Sequence, residues 1–219
     1  MTGPHRVRDV MTIEVVSVSR LTPFKELAAV LSHRRINAAP VLDNRGRVVG
    51  VVSQADLLPK QVLSGHRPSR REQLLHLEEI EKADATVAGN LMTAPAITVD
   101  PDAGLGAAAR LMARHRVKQL PVVGEAGLLV GVVSRGDLLK VFLREDDQLS
   151  AEVRNELLEH VPGSDARSIG ISVAEGVVAL DGRVEDAAVI PVAARLAAGI
   201  EGVVAVECRL RATSEHRSG

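Results

Sequence analysis

A chain of 219 residues, 46% of them apolar, is long enough to bury two modest hydrophobic cores. A formal net charge of −1 and only two aromatic residues, both phenylalanine, argue against the basic and stacking surfaces that bind nucleic acid. The single cysteine, Cys208, excludes an intramolecular disulfide. Because the sequence shows neither the apolar run of a signal peptide nor a membrane span, we expect a cytoplasmic protein.

The first two-thirds of the chain contains an internal repeat. Met11 aligns with Met92 and Leu58 with Leu139, at a constant offset of 81 positions and without a gap. The most similar stretches are GVVSQADLL, which ends at Leu58, and GVVSRGDLL, which ends at Leu139. Gap-free identities at turn and motif positions indicate the duplication of one structural unit.

Each copy predicts the element order β-α-β-β-α. A short β-rich run opens it, at residues 15–18 in the first copy and 96–99 in the second. A helix follows, which Thr22 caps in the first copy, and then two strands around a glycine-containing turn and a short helix from Ser53 or Ser134. The predicted faces of the longer helices carry apolar side chains at i, i+3, i+4 and i+7: Phe24, Leu27, Ala28 and Leu31, and Leu105, Ala108, Ala109 and Met112.

The repeat sets the expected domain boundaries. A three-stranded sheet with two short helices leaves apolar area exposed, so we expect the copies to pack by pseudo-twofold symmetry into one α+β domain. The linker between them predicts a short surface helix with Leu74, Leu77 and Ile80 on one face. The predicted segments are residues 5–60 for the first copy, 61–86 for the linker, 87–145 for the second copy, 146–211 for a separate small domain and 212–219 for a disordered tail.

Serine and aspartate stand three positions apart at the same place in both copies, as Ser53 and Asp56 and as Ser134 and Asp137. One interpretation is a capping box, in which the serine caps the following helix and the aspartate bonds back to the cap residue. The other is a nucleotide site. A strand that ends at a helix N-terminus presents free N–H groups to a phosphate, and the carboxylate accepts hydrogen bonds from both hydroxyls of a ribose. The residues alone leave both interpretations open.

The pattern G-V-V-S-x-x-D-L, with Met-Thr at the start of each repeat, resembles a tandem pair of CBS (cystathionine β-synthase) domains. The resemblance implies a pseudo-twofold disc with two clefts, which bind AMP, ADP, ATP or S-adenosylmethionine as a regulatory ligand and not as a catalytic cofactor. It also implies a homodimer through the CBS helices. In each cleft the opening strand and second-strand entry of one copy face the S-x-x-D motif of the other copy.

This correspondence implies two sets of ligand-binding residues. Gln119 is bulkier and more polar than its counterpart Ala38, so the first cleft is the preferred site. The resemblance assigns Thr12, Val16, Ile36, Ala38, Ser134 and Asp137 to the first cleft, and Thr93, Ile97, Val117, Gln119, Ser53 and Asp56 to the second.

The last third of the chain predicts the order α-β-β-α-β, beginning with an amphipathic helix. The pattern V-x-x-G-V-V-x-L-x-G-x-V at residues 173–184, followed by a helix and Gly202, is similar to a BON domain, a family linked to membranes, phospholipid or protein attachment. Residues 146–211 carry twelve acidic and six basic side chains, which argues against an anionic membrane and favours a protein partner or self-association. We expect Cys208 to be a small core residue.

The sequence shows no Ser/His/Asp array, P-loop or metal-ligand spacing, so we predict no catalytic residues, no metal site and no enzymatic activity. We expect a regulatory protein in which an adenine nucleotide or S-adenosylmethionine binds between the CBS repeats and the BON domain or a partner responds. The domain combination resembles small bacterial stress-related proteins. The alternative is a constitutive dimeric scaffold without a nucleotide ligand, whose BON domain binds protein or phospholipid.

Overall fold

The computed structural model describes residues 5–62 and 82–213, which divide into two compact units. The repeat unit comprises Arg6–Asp137, and the C-terminal unit comprises the residues from Leu138 onward together with His5. The predicted linker helix, with Leu74, Leu77 and Ile80, lies outside the described residues.

The first repeat forms a three-stranded sheet with the order β1-β2-β3. β1 runs parallel to β2, and β2 pairs antiparallel with β3 from Ala38↔Ser53 to Leu42↔Val48. Helix α2 places Leu27 and Leu31 against the buried sheet residues Val41 and Val52. The elements are α1 (Val7–Val10), β1 (Val18–Ser19), α2 (Phe24–His33), β2 (Ala38–Leu42), β3 (Val48–Ser53) and α3 (Gln54–Val62).

The second repeat follows the same order at the same offset. Its opening strand is reduced to one parallel bridge between Val99 and Val122, so the sheet has two strands. Leu105, Ala108 and Met112 form the buried face of the long helix, as the apolar spacing predicts, whereas Ala109, also predicted on this face, is exposed. The elements are α4 (Ala88–Leu91), α5 (Leu105–Arg114), β4 (Gln119–Val123), a 3₁₀ turn (Glu125–Gly127), β5 (Leu129–Ser134) and α6 (Arg135–Leu139).

Two local predictions for the repeats were wrong, and two short helices were not predicted. The predicted opening strands are shorter, because only Val18–Ser19 and Val99 pair with a neighbouring strand. Thr22 does not cap α2: Pro23 is the cap residue, and the Thr22 hydroxyl oxygen accepts a hydrogen bond from the Ser19 N–H at 3.1 Å. The single-turn helices α1 and α4 were not predicted, since four residues are too few to show a helical apolar period.

The C-terminal unit packs helices on a three-stranded sheet with the order β6-β7-β8. β6 and β7 are antiparallel, whereas β7 and β8 are parallel. Leu149, Val153 and Leu157 are buried in the core, as the helix spacing predicts. The elements are a 3₁₀ turn (Lys140–Leu143), α7 (Asp146–His160), α8 (Gly163–Ser168), β6 (Ile169–Ala174), β7 (Val177–Val184), α9 (Val189–Ala198) and β8 (Ala205–Ala212).

The C-terminal unit differs from the sequence prediction in three details. A short helix, α8, stands between α7 and the first strand, where a direct connection was expected. Cys208 is exposed and not a core residue, because β8 is an edge strand of which only Leu210 is buried. β8 extends to Ala212, and the Thr213 N–H donates to the Val184 carbonyl at 2.8 Å, so the predicted tail does not begin at residue 212.

Candidate functional site

The two S-x-x-D motifs lie where a β-hairpin ends and a short helix begins. In the first repeat Asp56 Oδ2 accepts hydrogen bonds from the Ser53 N–H at 2.8 Å and from the Ser53 hydroxyl at 2.6 Å. In the second repeat Asp137 Oδ2 accepts from the Ser134 N–H at 2.9 Å and from its hydroxyl at 2.6 Å. Each aspartate therefore makes the bond back to the cap residue that a capping box requires.

The Met-Thr pair that opens each repeat crosses to the β-hairpin of the other repeat. Thr93 exchanges backbone hydrogen bonds with Val51, at 3.1 and 2.8 Å, and Thr12 exchanges them with Val132, at 2.9 and 3.0 Å. These contacts bring Thr93 to the strand that leads to Ser53, and Thr12 to the strand that leads to Ser134. The opening segment of each copy therefore lies beside the hairpin of the other copy.

The glycine that begins each GVVS motif allows this crossing. A β carbon at Gly50 would lie 2.5 Å from Met92 Sδ and 3.0 Å from the Thr93 carbonyl oxygen. A β carbon at Gly131 would lie 2.5 Å from Met11 Sδ and 3.0 Å from the Thr12 carbonyl oxygen. A side chain at either position would therefore push the two repeats apart. The close approach of the repeats requires glycine at both positions.

The second cleft contains a cavity of about 480 Å³. This volume falls within the range of small-molecule binding sites. All residues that the resemblance assigns to the second cleft line it: Thr93, Ile97, Val117, Gln119, Ser53 and Asp56. The structure thus brings together residues that are up to 66 positions apart in the chain, from Ser53 to Gln119.

The wall of this cavity carries cationic side chains as well as Asp56. Arg116 and Lys118 line it and are exposed. Arg116 has a left-handed backbone, with φ of 54°, as has its counterpart Arg35, with φ of 53°. Both residues lie just after the long helix of their repeat. The cavity therefore offers two positive charges to a ligand, besides the carboxylate.

Asp56 is the most buried charged group of the cavity, with 9% of its surface exposed. Its Oδ2 atom bonds to Ser53, and its Oδ1 atom accepts a hydrogen bond from the Lys82 ammonium. A buried carboxylate requires such partners, since desolvation of an unpaired charge costs several kcal/mol. The sequence analysis did not identify Lys82, because nothing in its local sequence indicates that it reaches Asp56.

Gln119 does not fill the second cleft. Its amide nitrogen donates to the Ala38 carbonyl oxygen at 3.0 Å, so the polar end of the side chain is held by the backbone of the other repeat. The preference for the first cleft depended on the bulk and polarity of this side chain. The structure has a cavity beside it, which removes the argument against the second cleft.

The first-cleft residues lie at equivalent places in the fold. Val16 precedes β1 and is half-buried, and Ile36 packs against the core of the first repeat. Ala38 begins β2 and, although the resemblance assigns it to the first cleft, lines the cavity of the second. The pseudo-symmetry extends to side chains: the Gln54 amide donates to the Ile36 carbonyl and the Arg135 guanidinium to the Val117 carbonyl, both at 3.0 Å. Thr12, Ser134 and Asp137 have the contacts described above.

Within the described residues, Glu156, Glu159 and His160 place ligand atoms within 4.8 Å of one another at the end of α7. His160 Nδ1 is 3.0 Å from the Glu156 carbonyl oxygen of its own helix, and the group is largely solvent-exposed. The geometry is that of a solvated helix end. Of the helices in residues 5–62 and 82–213, none combines the length and the apolar character that a membrane crossing requires.

Comparison with known proteins identifies the family. The sequence profile of the CBS domain matches residues 7–62 and 88–144, and that of the BON domain matches residues 145–214. The chain belongs to the CBS domain family. It is a tandem CBS protein with a C-terminal BON domain, and the repeat unit is its CBS pair.

Several known proteins resemble the CBS pair. The chloroplastic protein CBSX2 of Arabidopsis thaliana is 29% identical over 168 residues, which cover 70% of this chain and 68% of that protein. The uncharacterized protein MJ1426 of Methanocaldococcus jannaschii is 28% identical over 153 residues, 63% of this chain and 90% of the relative. The crystal structure of CBSX2 in complex with AMP superposes with a TM-score of 0.56 and 32% identity, covering 64% of this chain and 97% of that one.

Proposed function

We propose that this protein is a non-enzymatic regulator whose CBS pair binds an adenine nucleotide in the second cleft. The observation that carries the proposal is the cavity of about 480 Å³, lined by all the second-cleft residues. The solved structure of CBSX2 with AMP, which is 32% identical and matches over 97% of its length, supports the same ligand class.

The residues of the cavity suit the parts of a nucleotide. Asp56 accepts hydrogen bonds from the ribose hydroxyls, and Ser53 stands at the N-terminus of α3, where free N–H groups and the helix dipole favour an anion. Ile97 and Val117 offer apolar surface to the base. The functional and capping interpretations of S-x-x-D are compatible, because the same helix start provides both.

The charges of the cavity favour a phosphorylated ligand. Arg116 and Lys118 attract the phosphate of AMP, ADP or ATP, whereas they repel the sulfonium of S-adenosylmethionine. We therefore place the adenine nucleotides before S-adenosylmethionine as the regulatory ligand. The first cleft is the additional nucleotide site that pseudo-symmetry provides. Its residues are Thr12, Val16, Ile36, Ala38, Ser134 and Asp137.

Calorimetric titration with AMP, ADP, ATP and S-adenosylmethionine tests this function. We expect saturable heat for at least one nucleotide, a loss of at least about tenfold in affinity in Asp56→Ala, and a much smaller loss in the matched variant Asp137→Ala. The opposite pattern would place the ligand in the first cleft. Absence of heat for all four ligands would refute nucleotide binding.

The proposed output of binding lies in the C-terminal BON domain or in a protein partner. Asp137 stands nine positions before Asp146, the first residue of α7, so the second S-x-x-D motif and the BON domain are close in sequence. A ligand shifts the equilibrium between two arrangements of the CBS repeats. The free energy of that shift cannot exceed the difference between the ligand's binding free energies for the two arrangements. Hydrogen exchange of the BON helices with and without nucleotide tests the transmission, and unchanged exchange would leave the partner as the responding element.

We further propose that the protein is a homodimer through the CBS helices. Leu58 and Leu139 occupy equivalent positions in the two copies and are 59% and 60% exposed, and Val62 is 73% exposed. Pairing of such apolar side chains across a twofold axis removes them from water. Sedimentation equilibrium of the protein and of Leu58→Lys tests this, and a monomeric wild-type protein would contradict it.

A constitutive scaffold is the second candidate function, and the bonds from the Ser53 and Ser134 N–H groups to the aspartates three positions on favour it. In this case the motifs only stabilise helix starts, the CBS pair dimerises and the BON domain attaches a protein or phospholipid. Liposome co-sedimentation at low salt distinguishes the two BON ligands. The acidic excess of residues 146–211 leads us to expect no lipid binding.

A further inference from the structure

Lys82 contacts the carboxylate of Asp56, the group to which the proposed function assigns the ribose. Its ammonium donates to Asp56 Oδ1, while Ser53 engages Oδ2 through its N–H and its hydroxyl. Both carboxylate oxygens therefore have partners from the protein. A ribose diol that bonds to this carboxylate must share it with, or replace, the Lys82 ammonium.

The ion pair between Lys82 and Asp56 is largely shielded from solvent. The side chains of Lys82 and Asp56 are 24% and 11% exposed, so solvent screens the pair less than it screens a surface salt bridge. Asp56 belongs to α3 of the first repeat, whereas Lys82 lies in the segment that enters the second repeat. The pair thus fastens this entering segment to the helix that carries the ribose-binding group.

A second contact fixes the same segment to the other end of α3. The Lys60 ammonium donates to the carbonyl oxygens of Ala83 and Ala85, at 2.7 and 3.1 Å, and lies 5.1 Å from the centroid of the Phe24 ring. These bonds involve neither Asp56 nor the residues that line the cavity. Loss of the Lys82 contact leaves the segment attached through Lys60, through the Phe24 N–H, which donates to the Thr86 carbonyl oxygen at 2.8 Å, and through the buried Ala85.

We propose that Lys82 is a displaceable counter-ion of Asp56, which the ribose of a bound nucleotide replaces. Lys82 lowers the affinity of the second cleft, and its release converts nucleotide binding into loosening of residues 82–86. It is a regulatory residue of the binding site and acts through Asp56. The inference rests on the proposed function, since it requires the ribose to bond to Asp56.

The test measures adenosine and AMP binding to the full-length protein by calorimetry. Adenosine is the decisive probe because it is neutral, so removal of the Lys82 charge does not weaken a phosphate contact. In Lys82→Met the carboxylate loses its competing donor, and we expect adenosine affinity to rise by roughly three- to tenfold. Lys82→Arg keeps the charge and should bind adenosine as the wild-type protein does; Lys82→Gln replaces Lys82→Met if the latter fails to fold.

Hydrogen exchange provides the second measurement. AMP should accelerate exchange of the amides of residues 82–86 in the wild-type protein, and Lys82→Met should show the faster exchange without AMP. Unchanged or reduced adenosine affinity in Lys82→Met, or slower exchange of residues 82–86 with AMP, would overturn the inference.

The two proposals fail in different ways. If AMP binds the wild-type protein and Asp56→Ala abolishes binding, but Lys82→Met gains no affinity, only the role of Lys82 is refuted. If Asp56→Ala binds AMP as tightly as the wild-type protein, the assignment of the second cleft is refuted, and the role of Lys82 with it. If neither the wild-type protein nor Lys82→Met binds either probe, both proposals are refuted.

Discussion

Gly50 of the first CBS repeat lies directly against Met92 of the second, so that a β carbon at Gly50 would stand 2.5 Å from Met92 Sδ. Gly131 and Met11 repeat this relationship with the copies exchanged. The two glycines therefore control how closely the repeats approach, and they link a short sequence motif to the construction of both clefts.

Substitution of Gly50 by alanine should destabilise the CBS pair. The added methyl group overpacks the contact with Met92, for which we expect a loss of about 1–3 kcal/mol in the free energy of unfolding. Urea denaturation followed by circular dichroism measures it. The control is Gly136→Ala in α6, where the added carbon would lie 3.7 Å from the nearest atom, the Ser134 hydroxyl oxygen. Equal stability of the two variants would contradict the close-approach argument, whereas partial rescue by Met92→Ala would support it.

Substitution of Asp56 by glutamate separates the two interpretations of the S-x-x-D motif. A capping box accepts glutamate, so the free energy of unfolding should change by less than about 1 kcal/mol. A ribose-binding carboxylate displaced by one methylene loses its geometry, and AMP affinity should fall by at least about tenfold. Asp137→Glu is the matched variant in the other cleft. Full AMP affinity in Asp56→Glu would show that this carboxylate does not bind the ribose.

Substitution of Lys118 by methionine tests the charge of the cavity wall. Lys118 lines the second cleft and is exposed, so its removal should leave the fold intact. We expect AMP affinity to fall by roughly three- to tenfold and adenosine affinity to stay constant, because only AMP carries the phosphate. Calorimetry in low and moderate salt measures both. A parallel loss for AMP and adenosine would indicate a packing effect instead of a charge effect.

The hairpin turn of the first repeat should depend on pH through Asp43. Backbone hydrogen bonds from Arg47, followed by those from Arg45 and by the Arg47 guanidinium, hold the pKa of the Asp43 carboxyl below its ordinary value, although desolvation opposes the shift. The ionised carboxylate accepts the Arg45 and Arg47 N–H groups at 2.8 and 3.0 Å. A lowered pKa means that the stabilisation is present above the pKa of the unfolded chain and is lost as pH falls through the lower folded value.

The comparison of Asp43→Asn with the wild-type protein isolates this effect. The difference in urea midpoint should be largest near neutral pH and shrink as the pH falls below about 4, where the unfolded carboxyl titrates. The second repeat has Gly124 at the equivalent position and lacks this carboxylate. A difference that stays constant between pH 7 and pH 3 would refute the contribution of ionised Asp43.

Asp165 should stabilise the BON domain. It is 3% exposed, and its two carboxylate oxygens accept the N–H groups of Glu185 and Asp186, at 2.6 and 3.4 Å, beyond the end of β7. Asp165→Ala leaves these amides without their acceptor, for which we expect a loss of about 1–3 kcal/mol. The control is Asp181→Ala on the exposed part of β7. Equal urea midpoints for the two variants would contradict the role of Asp165.

Much of the fold could be predicted from local patterns. The gap-free offset from Met11 to Met92 predicted two equivalent units, and the apolar spacing at Leu27 and Leu31 predicted the buried face of α2. The same spacing at Leu149 and Leu157 predicted α7 of the BON domain. These predictions succeeded because helical and strand periods are properties of neighbouring residues. The exposed position of Cys208 was missed, because the alternation of a strand does not show which part of an edge strand the core covers.

The sequence by itself determined the repeat and the family resemblance, because identities at a fixed offset and motif spacing are read along the chain. Only the tertiary structure decided that a cavity lies in the second cleft, that Gln119 turns to the Ala38 carbonyl and that Lys82 pairs with Asp56. The physical reason is that the cavity wall and both contacts bring together residues of different elements. Their distances depend on how the elements pack, which no local period or spacing encodes.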